Sequence, residues 1–159
     1  MIRSRLGLAA CGFAIALASC SVPDKTEAPP VLLAVPSVKD HPKRIERGAI
    51  TAISFENFFA RHQSGKVLVF DARSVFFYQL GHIPGSINLP HNAIPDRIRQ
   101  HQSKIKSALA NGSVIVTYCT GETCPDALAL ANRLSALGYP VSVFSGGWHA
   151  WNDADLPTE

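Results

Sequence analysis

From residue 48 onward the chain alternates between two hydrophobic patterns. Short runs of β-branched and aromatic residues predict strands at 49–53, 67–70, 86–89, 114–118 and 141–144. Between them, apolar residues recur at helical spacing. Ser54 stands where it can cap a helix that carries Phe55, Phe58 and Phe59 on its core side. One or two helices are expected between 93 and 110, before the Asn111-Gly112 turn. A further helix follows 124, with Ala127, Leu128, Leu130, Ala131, Leu134 and Leu137 on its apolar side and Gly138 at its end. Val67-Leu68-Val69-Phe70 and Val114-Ile115-Val116 are unbroken apolar runs, the pattern of strands covered on both faces. Such alternation predicts an α/β domain around a mostly parallel sheet. Gly146-Gly147 opens a terminal segment bearing Trp148 and Trp151. Val75-Phe76-Phe77 reads as the core face of a short helix, with exposure to a partner or lipid as the alternative.

The first 47 residues follow a different rule. A basic start with Arg3 and Arg5 leads into an apolar run over 6–17, and small residues follow at Ala18 and Ser19. That run is shorter than the roughly 18 apolar residues of a membrane-spanning helix and reads as a secretory signal. Leu17-Ala18-Ser19-Cys20 resembles the bacterial lipobox, which implies cleavage before Cys20 and diacylation of its thiol. Two or three acyl chains make a durable anchor, where a single chain binds only marginally. Ser21 after the cysteine resembles outer-membrane sorting, so the expected location is the cell envelope, facing the periplasm. Pro23, Pro29, Pro30, Pro36 and Pro42 then mark a semi-rigid spacer. Within it, residues 31–35 are either an added edge strand or docking segment, or ordinary linker or domain-edge packing. The expected organisation is a signal peptide over 1–19, the lipidated cysteine and linker over 20–47, and one domain over 48–159.

Composition narrows the function classes. The 159 residues are 47% hydrophobic and 17% charged, ordinary globular usage. The formal charge of +3 falls close to neutral once Arg3 and Arg5 leave with the signal, and Lys and Arg are scattered. Nucleic acid is therefore not an expected partner. The six histidines show no ligand-type spacing, so no metal site is expected.

The chemistry concentrates after the strand at 114–118. Cys119 opens a loop at the carboxyl end of that strand, where α/β sheets gather ligands. Loop amides and the helix starting near Pro125 would both favour a thiolate there. From this context alone the alternative, a small buried hydrophobe, stays open.

Further motifs bear on the choice. Asp71-Ala72-Arg73, Gly81-His82-Ile83-Pro84-Gly85-Ser86-Ile87-Asn88-Leu89-Pro90, Val116-Thr117-Tyr118-Cys119, Gly138-Tyr139 and Val143-Phe144-Ser145-Gly146-Gly147-Trp148 together resemble a rhodanese domain in order and spacing. The resemblance covers roughly 48–159. It implies a single α/β domain with a five-stranded parallel sheet flanked by helices, and Cys119 in the place of the catalytic cysteine. It also implies that Thr120, Gly121, Glu122, Thr123 and Cys124 supply the amides that cradle the substrate. His82 would then be architectural. The implied reaction needs no cofactor: a Cys119 thiolate takes sulfane sulfur from thiosulfate or a related anion, and the persulfide passes it to a thiol or another thiophilic acceptor. A phosphatase loop of Cys, five residues and Arg is not met, because Pro125 holds the Arg position.

Two features depart from the family pattern. The loop carries no Arg or Lys, and Glu122 brings a negative charge near the nucleophile. Cys124 lies five residues from Cys119, a permissive spacing for a disulfide in an oxidising compartment. Cys124 is thus either a redox partner, able to resolve a persulfide or sulfenate on Cys119, or a buried helix-start residue. Three functions follow: a sulfurtransferase, a thiol-disulfide redox protein using Cys119 and Cys124, or an inactive rhodanese-like module that binds an envelope partner.

Overall fold

Every strand of the sheet is parallel, and the two longest are the ones with the most continuous apolar runs. In the computed structural model, residues 45–90 and 95–159 are described, and all belong to a compact unit spanning His41–Glu159. The predicted signal, Cys20 and the linker as far as residue 44, with its apolar patch at 31–35, lie outside the described residues. The strands are β1 (Ile50–Ala52), β2 (Val67–Asp71), β3 (Ile87–Asn88), β4 (Val114–Tyr118) and β5 (Val141–Phe144), in the order β1-β5-β4-β2-β3. Their pairing aligns Asp71 of β2 with Tyr118 of β4, and Tyr118 with Phe144 of β5. The carboxyl ends of the three central strands therefore finish side by side.

Alternation along the strands divides the core into two layers. Leu68 and Phe70 of β2 and Ile115 of β4 face one side, against Ile98 of α3 (Pro95–Gln100), Ile105 of α4 (Gln102–Ala110) and Leu130 and Leu134 of α5 (Asp126–Ala136). Val69, Val116 and Tyr118 face the other, against Phe58 of α1 (Phe55–Gln63) and Trp151 of α6 (Gly147–Asp153). Ser54 caps α1 as its sequence position predicts, its side chain accepting the Asn57 N–H at 3.3 Å. Phe58 is fully buried, its ring 4.7 Å from that of Phe144 and 5.8 Å from that of Trp151. Burial of such a ring stabilises the fold by about 1.5–3 kcal/mol. Thr117, buried on the α5 side, donates its hydroxyl to the Ala127 carbonyl at 3.0 Å. That bond fixes the first turn of α5 beside the end of β4.

Two expectations fail on the outer surface. Leu128 does not join the apolar side of α5 and is 51% exposed. Its neighbours in periodicity, Leu130 and Leu134, fill the space against the sheet, and Leu128 falls outside the stripe they define. Val75, Phe76 and Phe77 form α2 (Val75–Gln79), but this helix buries none of its residues. Phe76 and Phe77 are 64% and 54% exposed, and Leu80 just beyond is 71% exposed. Among the described residues, no helix is long and apolar enough to cross a membrane.

Candidate active site around Cys119

The loop begins where β4 ends. Cys119 is buried at 2% exposure, Cys124 is half-buried, and Glu122 and Thr123 are exposed. Cys119 and Cys124 are joined by a disulfide, with their Cα atoms 6.1 Å apart. The disulfide that the spacing of Cys119 and Cys124 permits is thus present. Inside the loop the Cys124 N–H donates to the Gly121 carbonyl at 3.0 Å. In this closed form that amide belongs to the loop's own turn and is not offered to an anion.

The loop is held from behind by the start of α6. Trp148 N–H donates to the Cys119 carbonyl at 2.8 Å, and His149 N–H donates to the Thr120 carbonyl at 2.9 Å. Such contact between two backbones requires a residue without a side chain. Gly147 meets this need, since a Cβ there would run into the Cys119 carbonyl oxygen, and its φ of 59° lies in the left-handed region. The Gly-Gly-Trp element is therefore part of the site.

A buried ion pair ties the remaining motifs together. Asp71 Oδ1 accepts the Arg73 backbone N–H at 2.8 Å, and Asp71 Oδ2 accepts from Arg73 Nη2 at 2.6 Å. The same Oδ2 accepts the Tyr118 hydroxyl at 2.5 Å. Arg73 Nη2 also donates to the Gly81 carbonyl at 2.8 Å, while the guanidinium carbon lies 4.7 Å from the centre of the Trp148 ring. Tyr118 in turn accepts the Ile83 N–H at 3.2 Å. Burial opposes the Arg73 charge, yet the hydrogen bonds and charge of Asp71 outweigh it and hold the guanidinium above its ordinary range. Burial, followed by the Asp71 charge, pushes the Tyr118 hydroxyl well above the usual tyrosine range, so it remains a donor. One guanidinium thereby links the end of β2, the Gly-His-Ile-Pro-Gly turn and the Gly-Gly-Trp element behind Cys119.

His82 lies within this framework. Its ring stacks on Tyr78 at 3.7 Å, its Nδ1 contacts the Tyr78 carbonyl at 3.0 Å, and its backbone exchanges two hydrogen bonds with Glu159.

Residues 55–154 match the rhodanese-like domain family. The chain belongs to that family. It is 33% identical over 111 residues to an HTH-type transcriptional regulator of Mycobacterium tuberculosis, covering 68% of this chain and 44% of the regulator. It is also 33% identical over 69 residues to the tRNA uridine(34) hydroxylase of Bacillus velezensis, covering 42% of this chain and 20% of that protein. The chain thus spans less than half the length of these curated relatives. A crystal structure of a Bacillus halodurans protein aligns with a TM-score of 0.59 at 27% identity, over 69% of this chain and 76% of the other.

Three hollows meet at the rhodanese-like loop. One of ≈ 240 Å³ lies between Gly121–Pro125, Leu128 and the end of β5; another, of ≈ 410 Å³, lies between Thr120–Cys124, His149 and Asp153. The third, of ≈ 250 Å³, is lined by Arg73, Phe77, Leu80, Gly81, Thr120, Trp148 and His149. The predicted loop residues Thr120, Gly121, Glu122, Thr123 and Cys124 are all brought to these hollows. Sequence reasoning gave no role there to Arg73, Trp148, His149, Phe77 or Leu80. The Asp-x-Arg and Gly-Gly-Trp motifs were visible signals for the first two, and the apolar Val75-Phe76-Phe77 run marked Phe77 without placing it at the site; nothing in the sequence marked His149 or Leu80. Cys119, Cys124 and Asp126 place potential ligand atoms within 4.8 Å of one another, but two of these atoms are sulfurs bonded to each other.

Proposed function

We propose that this rhodanese-like domain is a sulfurtransferase in which Cys119 takes sulfane sulfur from thiosulfate or a similar small anion and hands it to a thiol. The reading rests above all on Cys119 opening a six-residue loop at the carboxyl end of the central strand, with its carbonyl anchored by Trp148. In that role the reduced thiolate attacks the outer sulfur of thiosulfate and sulfite leaves. Amides of the loop stabilise the incoming anion and the persulfide. The disulfide supports a condition on this activity. While Cys119 Sγ is bonded to Cys124 it has no free valence for substrate, so turnover requires prior reduction.

The test is release of sulfite from thiosulfate with a dithiol present as acceptor and reductant. Reduced wild type is expected to turn over, and Cys119→Ser to fall by at least about a thousandfold, the scale of nucleophile removal in enzymes that work through one. No turnover by the reduced wild type, or undiminished turnover by Cys119→Ser, refutes the reading. The disulfide itself favours a second reading, a thiol-disulfide exchange protein with no sulfur transfer. That reading predicts disulfide reduction by external dithiols but no sulfite released from thiosulfate.

The location belongs to the same proposal. Cleavage before Cys20 and acylation of its thiol would tether the domain in the cell envelope facing the periplasm, at the outer membrane by the Ser21 pattern. Its partners there would be the sulfur-bearing anion, the thiol acceptor and an envelope protein. Labelled fatty acid should enter the wild type and not Cys20→Ser; equal labelling of the two removes the anchor.

A further inference from the structure

We propose that Cys124 is a second reacting residue of the sulfur-transfer cycle, attacking the persulfide on Cys119 and expelling the transferred sulfur as hydrosulfide. This deepens the sulfurtransferase reading and rests on it. The steps balance as follows. The Cys119 thiolate forms an S–S bond to the outer sulfur of thiosulfate, and sulfite leaves with the electron pair of the broken bond. The Cys124 thiolate then bonds to Cys119 Sγ, the bond from Sγ to the transferred sulfur breaks, and that sulfur departs as hydrosulfide. Two cysteine thiols are oxidised to one disulfide, and the sulfane sulfur is reduced by two electrons to sulfide. The product on the protein is the disulfide that the structure contains.

Geometry separates this from transfer to an acceptor in solution. Cys124 already lies within bonding reach, with Cα atoms 6.1 Å apart, and a group so positioned has the advantage of an intramolecular reaction. The Cys124 side is also the open one. It is half-buried and borders the hollows of ≈ 240 and ≈ 410 Å³, whereas Cys119 borders neither. An external dithiol is therefore directed to Cys124 Sγ, forming a mixed disulfide and releasing Cys119 as thiolate. The dithiol's second sulfur then frees Cys124 and completes its own oxidation. Both cysteines return reduced, and the next thiosulfate meets the nucleophile in its reactive form.

The experiment is a single turnover. Full-length protein is reduced, freed of reductant without oxygen and mixed with thiosulfate; hydrosulfide, sulfite and intact mass are then read. Wild type should release near-stoichiometric hydrosulfide and sulfite and become lighter by two hydrogens. Cys124→Ser and Cys124→Ala should release sulfite, hold hydrosulfide at background and become heavier by one sulfur atom. A stable persulfide on the wild type, or equal hydrosulfide from the Cys124 variants, overturns the role of Cys124 and leaves the sulfurtransferase reading standing. If neither Cys124 variant gains sulfur while both retain the folded circular dichroism of the wild type, the sulfurtransferase reading falls, and this proposal with it.

Discussion

Gly147→Ala is expected to destabilise the domain by about 2–4 kcal/mol and to cut the reaction of Cys119 with thiosulfate by roughly a hundredfold. Two separate costs meet at this residue. Its φ of 59° is a conformation that costs an L residue roughly 1–2 kcal/mol. The added Cβ would also strike the Cys119 carbonyl oxygen and stand 3.0 Å from Gly121 N and Thr120 C. Relief requires the start of α6 to retreat, and then the 2.8 Å bond from Trp148 and the 2.9 Å bond from His149 cannot both survive. The loop bearing the nucleophile would shift, and displacement of a reacting group by about 1 Å is enough for a loss of that order. Gly112→Ala is the control. Gly112 has a similar φ of 71°, but a Cβ there meets nothing within 4 Å. Thermal unfolding and thiosulfate turnover of the two variants separate backbone strain from collision. Equal melting temperatures and full activity in Gly147→Ala would refute the lock between α6 and the loop.

What could be read from the sequence was whatever depends on pattern within one segment. The apolar runs of β2 and β4 had to be central strands because both faces of each need cover, and Cys119 followed as the residue at a central carboxyl end. Ser54 was legible as a cap because capping is decided within four residues. Leu128 was misread because it adjoins the buried stripe of Ala127, Leu130, Ala131 and Leu134 in sequence but lies outside that stripe on the helix and faces solvent. Phe76 and Phe77 failed for a related reason: apolar character creates a demand for cover but does not supply the neighbour. The disulfide was permitted by spacing, yet loop closure decided it. The part played by Arg73 was hidden because its partners, Gly81 and Trp148, lie on segments that meet only in the folded chain.

The Asp71–Arg73 pair is where that folded-state dependence has its largest energetic expression. Asp71 is fully buried and Arg73 is 4% exposed, so Asp71→Ala strands a guanidinium away from water with its counter-ion gone. Breaking a buried pair from one side costs about 3–5 kcal/mol, a large part of the 5–15 kcal/mol that holds a domain folded. The melting temperature should fall by roughly 15 °C or more. The loss would also reach the site, because Tyr118 immediately precedes Cys119 and its hydroxyl would lose its 2.5 Å acceptor. The same pair need not be strongly stabilising when intact, since burial of both charges offsets much of their attraction. The double variant Asp71→Ala/Arg73→Met separates these effects by removing the stranded charge along with its partner. Its melting temperature should lie above that of Asp71→Ala alone, giving a coupling measurable by a double-mutant cycle. A double variant less stable than Asp71→Ala would mean that Arg73 stabilises the fold chiefly through Gly81 and Trp148, independently of the carboxylate.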